Sequence, residues 1–119
     1  PHFTAKGAKV QHTLLSEGCE IAGNVSESVL FSDVKVAKNA NVEYSILMPG
    51  AVVEEGASVR YAIVASGAVI AKGAQVGEGP SDCDVDKWGV AVVAENVRIG
   101  ENVKLAAKEM AGEDIPDAK

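Results

Sequence analysis

Apolar and polar residues alternate along this chain in short bursts that return at a fixed interval. From Val25 to Gln75 one seventeen-residue unit is written three times, as VSESVLFSDVKVAKNAN, VEYSILMPGAVVEEGAS and VRYAIVASGAVIAKGAQ. In register, Val25, Val42 and Val59 coincide, as do Leu30, Leu47 and Val64, and Val36, Val53 and Ile70. Each unit thus carries three aliphatic anchors, with period-two alternation around each and turn residues between them. That pattern suits very short strands and no helix. Stacked repeats of this size predict an all-β chain, a parallel β-helix with one coil per repeat of about 17 residues.

The alternation assigns the columns. Positions two before an anchor face inward near a corner and are small: Ser28, Ser45 and Ala62; Ala51 and Ala68; Ala40, Ala57 and Ala74, with Val34 the exception. Two corner columns hold Asp33, Gly50 and Gly67, and Asn39, Gly56 and Gly73, residue types that accept a left-handed backbone. Gly56 and Gly73 are therefore expected at positive φ. A third, shorter corner holds Glu27, Tyr44 and Tyr61. Along the chain the expected organisation is a lead-in over 1–9, a β-helix over 10–105 and a polar tail over 106–119 of unreadable role. The first coil of that helix is shortened, with anchors Val10, Leu15 and Ile21. A loop over 77–89 interrupts the fifth coil with turn formers and acids. The pattern then resumes through Val93, Ile99 and Leu105, with Asn96 and Asn102 at the turns.

The outward columns carry the most functional information. Beside the second anchor of successive coils stand Leu14, Val29, Phe31, Ile46, Met48 and Ile63, a greasy stripe that marks an interface. A register slip of one residue would bury these instead, but it would turn the Ser28, Ser45 and Ala62 column outward and bury nothing better. The other outer faces are mixed or polar, with Asn41, Ser58 and Gln75 on one of them.

Composition narrows the function classes. A 119-residue chain that is 47% hydrophobic has apolar surface enough for one domain. Its net charge of −6 argues against a nucleic-acid or anionic-membrane partner. No run of apolar residues is long enough to span a bilayer, and the start has no signal-peptide pattern. Cys19, at an inward position, and Cys83, in the loop, give no disulfide framework and read as free thiols of a reducing cytoplasm. The abrupt start PHFTAKGAKV reads as a cut from a longer chain.

Candidate chemistry is sparse. His12, in the short corner of the first coil, could serve as a general base toward a thioester acceptor, but no partnered acid stands in register with it, and an exposed structural histidine is the plainer reading. With His2 and His12 alone, a three-histidine metal site within one subunit is excluded. No glycine-rich turn leads from a strand into a helix, so no dipole-backed phosphate site is expected. Asp82, Asp84, Asp86 and Lys87 form an acidic loop whose plainer reading is a solvated surface. Trp88 is expected to plug an end of the core or pack on a neighbour rather than stack on a ligand. No catalytic, cofactor-binding or metal-binding residue is assigned.

The segments LLSEGCEIAGNVSESVLFSDVKV, VEYSILMPGAVVEEGASVRYAIVASGAVI and KWGVAVV resemble the carboxy-terminal domain of bacterial ADP-glucose pyrophosphorylase, glucose-1-phosphate adenylyltransferase, from about Leu14 to Val93. The resemblance implies a left-handed parallel β-helix, although the usual crossover rule would favour the opposite hand. It also implies a regulatory and oligomerisation role beside an amino-terminal catalytic domain, within a tetramer. There the catalytic domain would use ATP and magnesium to make ADP-glucose for glycogen synthesis in the cytoplasm. None of that domain's motifs occurs here, so this fragment alone is expected to be inert and to need no cofactor. Two alternatives stay open: a hexapeptide-repeat acyltransferase, and a non-catalytic partner subunit of the same enzyme.

Overall fold

The structure, a computed structural model, describes residues 3–81, 86 and 88–118. Its named elements are strands β1 to β18, most of them two residues long, and they stack into three parallel sheets of six strands each. Sheet A contains β1 (Phe3–Thr4), β4 (Glu20–Ile21), β7 (Lys35–Val36), β10 (Val52–Val53), β13 (Val69–Ile70) and β16 (Arg98–Ile99). Sheet B runs from β2 (Lys9–Gln11) through β5 (Asn24–Ser26), β8 (Asn41–Glu43), β11 (Ser58–Arg60) and β14 (Gln75–Val76) to β17 (Lys104–Leu105). Sheet C holds β3 (Leu14–Leu15), β6 (Val29–Leu30), β9 (Ile46–Leu47), β12 (Ala62–Val64), β15 (Ala91–Val93) and β18 (Met110–Ala111). Each circuit through A, B and C is one coil, so the chain is a parallel β-helix of six coils.

The expected inward set is the core. Val42, Leu47, Val53, Val59, Val64 and Ile70 are all fully buried, and so are Ala40, Ala51, Ala57, Ala68, Ala74 and Val34. That burial disposes of the one-residue slip, which would have turned these residues outward. Gly56 and Gly73 both sit at φ 72°, Asn102 stacks on Gly73 in the same corner at 59°, and Asn96 stacks on Gly67 in the other left-handed corner at 57°.

Where the chain is short, the corner adapts. Between β4 and β5 only Ala22 and Gly23 turn the first coil, and a Cβ on Gly23 would collide with the carbonyl oxygens of Ala37 and Ala40 in the next coil. Consequently Lys9 pairs with Asn24 and Val10 with Val25, an offset of fifteen, whereas Val25 pairs with Val42, an offset of seventeen.

The buried serines complete the hydrogen bonding at the third corner. Ser45 N donates to Ser28 Oγ at 3.1 Å and Ala62 N to Ser45 Oγ at 3.3 Å, while the two hydroxyls donate to the Ser26 and Glu43 carbonyls at 2.7 Å each. A hydroxyl thus stands in for a backbone acceptor where the turn interrupts the ladder. Ser45→Ala leaves the buried Ala62 N–H without that acceptor, and a loss of about 1–3 kcal/mol is expected in urea denaturation. An unchanged midpoint would show the hydroxyl to be idle.

Both expected flanks prove to be structured. Within the lead-in 1–9, β1 pairs with β4, placing Phe3 opposite Glu20 and Thr4 opposite Ile21. Within the tail 106–119, β18 extends sheet C, with Val92 opposite Met110, and Ile115 then bridges to Ile99 as the start of a seventh turn on sheet A. Polar composition hid this because carboxylates and backbone groups make the bonds. Ile115 N donates to Arg98 O at 2.9 Å and Gly100 N to Ile115 O at 2.7 Å. Asp114 Oδ1 accepts from Arg98 N at 2.8 Å, and Asp117 Oδ1 accepts from Glu101 N at 2.7 Å and Arg98 Nη1 at 3.0 Å. Gly100 admits the tail because a Cβ there would collide with Pro116 and Asp117.

The Glu101 N–H, and secondarily the Arg98 guanidinium, hold the Asp117 carboxyl below the ordinary aspartate value of 3.8. A carboxyl lowered on folding stabilises the docked tail fully above 3.8 and loses that contribution as pH falls through its lowered value. Exchange of the Ala118 amide, which donates to Glu101 O at 2.8 Å, should therefore quicken only in strong acid. In Asp117→Asn it should be faster at neutral pH and lose that acid dependence; equal rates in both proteins would refute the assignment.

Candidate functional site

The third corner and sheet C together form the candidate site. The corner is made by a single residue per coil, His12, Glu27, Tyr44 and Tyr61, each with a left-handed backbone at φ 45° to 50°. None is glycine, so composition gave no sign of the conformation. The pairing of Gln11 with Ser26, Ser26 with Glu43 and Glu43 with Arg60 stacks these four side chains in one column.

At its first end, His12 Nδ1 lies 2.6 Å from Glu27 Oε1. His12 therefore does have the partnered acid that the sequence reading missed. The shortened first coil sets the offset there at fifteen, and counting fifteen from His12 reaches Glu27. In a neutral imidazole this contact requires the tautomer with hydrogen on Nδ1, which leaves Nε2 as an acceptor. At the other end, the Tyr44 and Tyr61 rings stack with centroids 4.8 Å apart and planes 10° apart, and Trp88 meets Tyr61 edge-on at 5.6 Å. Trp88 Nε1 donates to Glu78 O at 2.8 Å. Trp88 thus packs on the corner column, the neighbour-packing role expected of it, and not on an end of the core.

Next to this column runs the outer face of sheet C. Register places Leu14, Val29, Ile46, Ile63, Val92 and Met110 opposite one another in sequence, one from each coil. The expected stripe is therefore a continuous ladder, extended by Val92, which the sequence signals by its place before the anchor Val93, and by Met110, which precedes the buried Ala111 in the segment read as a polar tail. Leu14 and Met110, at its two ends, are 71% and 70% exposed. Phe31 is exposed and Met48 half-buried in the adjoining outward column. Leu14, Val29 and Ile46 also floor a groove of about 470 Å³ whose other walls are His12, Glu27, Tyr44 and Tyr61.

Elsewhere the outer faces offer less. A shallow groove of about 600 Å³ on sheet A has an apolar floor around Val52, rimmed by Glu20, Lys35, Glu54 and Lys72, with Glu20 and Lys35 paired at 3.5 Å. On sheet B, Asn24 Nδ2 donates to Asn41 Oδ1 at 3.1 Å. Cys19 is buried, its thiol directed at Phe31 O. Among the described residues no three His, Cys, Asp or Glu side chains are gathered as a metal site would need, and no helix is long and apolar enough to cross a membrane. Asp82, Cys83, Asp84 and Lys87 of the acidic loop lie outside the described residues.

The pattern of the GlmU-like, C-terminal hexapeptide family matches residues 2–91. The chain belongs to this family. Within it, the hexapeptide chain is 51% identical over 39 residues to glucose-1-phosphate adenylyltransferase of Bacillus subtilis, a match covering 33% of this chain and 10% of that protein. The enzyme of the same name from Thermotoga maritima is 47% identical over 38 residues, 32% of this chain and 9% of its own. That from Fusobacterium nucleatum is 40% identical over 40 residues, 34% of this chain and 10% of its own. The hexapeptide chain thus spans about a tenth of the length of the curated relatives it matches. Among solved structures it is similar to the acetyltransferase domain of PglB from Neisseria gonorrhoeae, with TM-score 0.43 and 18% identity over 98% of this chain and 52% of that one. It is also similar to WeeI from Acinetobacter baumannii, with TM-score 0.46 and 18% identity over 88% and 49% of the respective chains.

Proposed function

We propose that this chain is the carboxy-terminal β-helix of a glucose-1-phosphate adenylyltransferase and serves that enzyme by regulation and assembly, without catalysing its reaction. The carrying observation is the apolar ladder on sheet C. Six outward residues, one per coil, form an unbroken hydrophobic strip on a face whose core positions are already filled. Such a strip gains roughly 25 cal/mol for each Å² that a partner covers. In the whole cytoplasmic enzyme the partner would be its own catalytic domain or a neighbouring subunit of a tetramer. ATP, magnesium and the sugar phosphate would be held in that catalytic domain, making ADP-glucose for glycogen synthesis.

Two measurements test the reading. Supplied with ATP, glucose 1-phosphate and magnesium, the 119-residue chain should form no ADP-glucose; product formation would overturn the proposal. Lacking its cover, the chain should self-associate, and sedimentation should show dimers, the commonest symmetric solution. A clean monomer at high micromolar concentration would show that sheet C is not the docking face.

One observation favours a second reading, that of an acyltransferase: His12 is held by Glu27 through Nδ1, which in the neutral ring would leave Nε2 to act as a general base. Release of free thiol from acetyl-coenzyme A, lost in His12→Asn, would establish it. No release above the uncatalysed rate is expected.

A further inference from the structure

We infer that the groove between the short corner and sheet C is a guanidinium site, where an arginine of the protein segment that covers sheet C is anchored. The inference rests on sheet C being a docking face and names the chemistry of what docks. Tyr61 covers one face of the Tyr44 ring at 4.8 Å, but at the corner position of the preceding coil stands Glu27, and among the described residues no second ring stacks on Tyr44. Tyr44 is accordingly 51% exposed.

The Glu27 carboxylate is held on the first coil's side by His12, whose Nδ1 lies 2.6 Å from Glu27 Oε1. It keeps a second oxygen, and an ionised carboxylate has lone pairs for further donors. The groove thus sets an open π face beside a carboxylate above a floor of Leu14, Val29 and Ile46. A π face and a carboxylate each attract cations. A planar guanidinium answers both, lying flat on the ring while its edge donates to the carboxylate, whereas an ammonium cannot stack. The apolar floor suits the methylene stem, and the chain's net charge of −6 favours a cationic partner. His12 serves here as a positioning residue that fixes the carboxylate through their contact.

The test uses the 119-residue chain titrated with N-acetylarginine amide and, separately, N-acetyllysine amide, followed by NMR of the Tyr44 ring and the His12 imidazole. The arginine probe should shift both signals saturably with a dissociation constant of about millimolar order, and the lysine probe should bind about tenfold more weakly. Glu27→Gln should weaken the arginine probe by about tenfold, Tyr44→Leu should weaken it, and Tyr44→Phe should preserve it. Equal response to the two probes, no saturable shift up to about 50 mM, or indifference to Glu27→Gln would overturn the proposal. Acidic substitutions at Ile63 and Val92, outside the groove, separate the two readings. If the chain proves monomeric yet binds the arginine probe, the site stands and the docking face falls. If it dimerises through sheet C yet ignores the probe, the reverse holds.

Discussion

Leu47→Ala should lower the unfolding free energy by about 2–5 kcal/mol, the largest single-residue effect expected in this chain. Leu47 is fully buried at the middle of sheet C, paired with Leu30 below and Val64 above. A β-helix core one side chain wide has little means to collapse around a lost isobutyl group, because each neighbour is tied to the coils on either side by ladder hydrogen bonds. The cavity would therefore persist, and the cost should fall in the upper part of that range. Chemical denaturation checks this: a variant that melts with the parent would refute the inward assignment.

The double substitution Val29→Asp and Ile46→Asp should abolish self-association through sheet C, weakening it by at least about a hundredfold. Both residues point outward, so the cost to the fold is small and circular dichroism should be unchanged. In a closed interface, however, two carboxylates would be desolvated without partners. Stacking through the coil ends would survive the change, since neither residue lies at an end. Sedimentation of this variant thus separates the two modes, and undiminished dimers would place the contact away from the ladder.

The sequence revealed the β-helix because burial here depends on one repeating choice: anchors such as Leu30, Leu47 and Val64 must recur at the coil period. It revealed the outer stripe for the same reason. What it hid depends on geometry between coils. The His12–Glu27 pair requires counting through a coil shortened at Ala22 and Gly23. The left-handed corners at Tyr44 and Tyr61 occur in residues that composition never associates with such turns, held there by the strands on either side. The docked tail owes its place to Asp114, Asp117 and the missing Cβ of Gly100, and leaves little hydrophobic trace. The groove beside Tyr44 depends on the His12–Glu27 contact, which no single coil's sequence displays.

The corner that a single residue makes in the earlier coils is replaced between β14 and β15 by residues 77–90. Yet the coil resumes in step on the far side: Gly77 N still donates to Leu105 O at 2.8 Å, and Ala91 N to Tyr61 O at 3.2 Å. Gly77 itself is required there, since a Cβ would collide with Arg60 O. The third corner is therefore a port at which chain length is uncoupled from coil geometry. A foreign segment inserted between Glu78 and Trp88, with those two residues kept on Ala107 and Tyr61, would emerge beside the aromatic column and leave this register intact, which makes the corner a point of insertion in the fold.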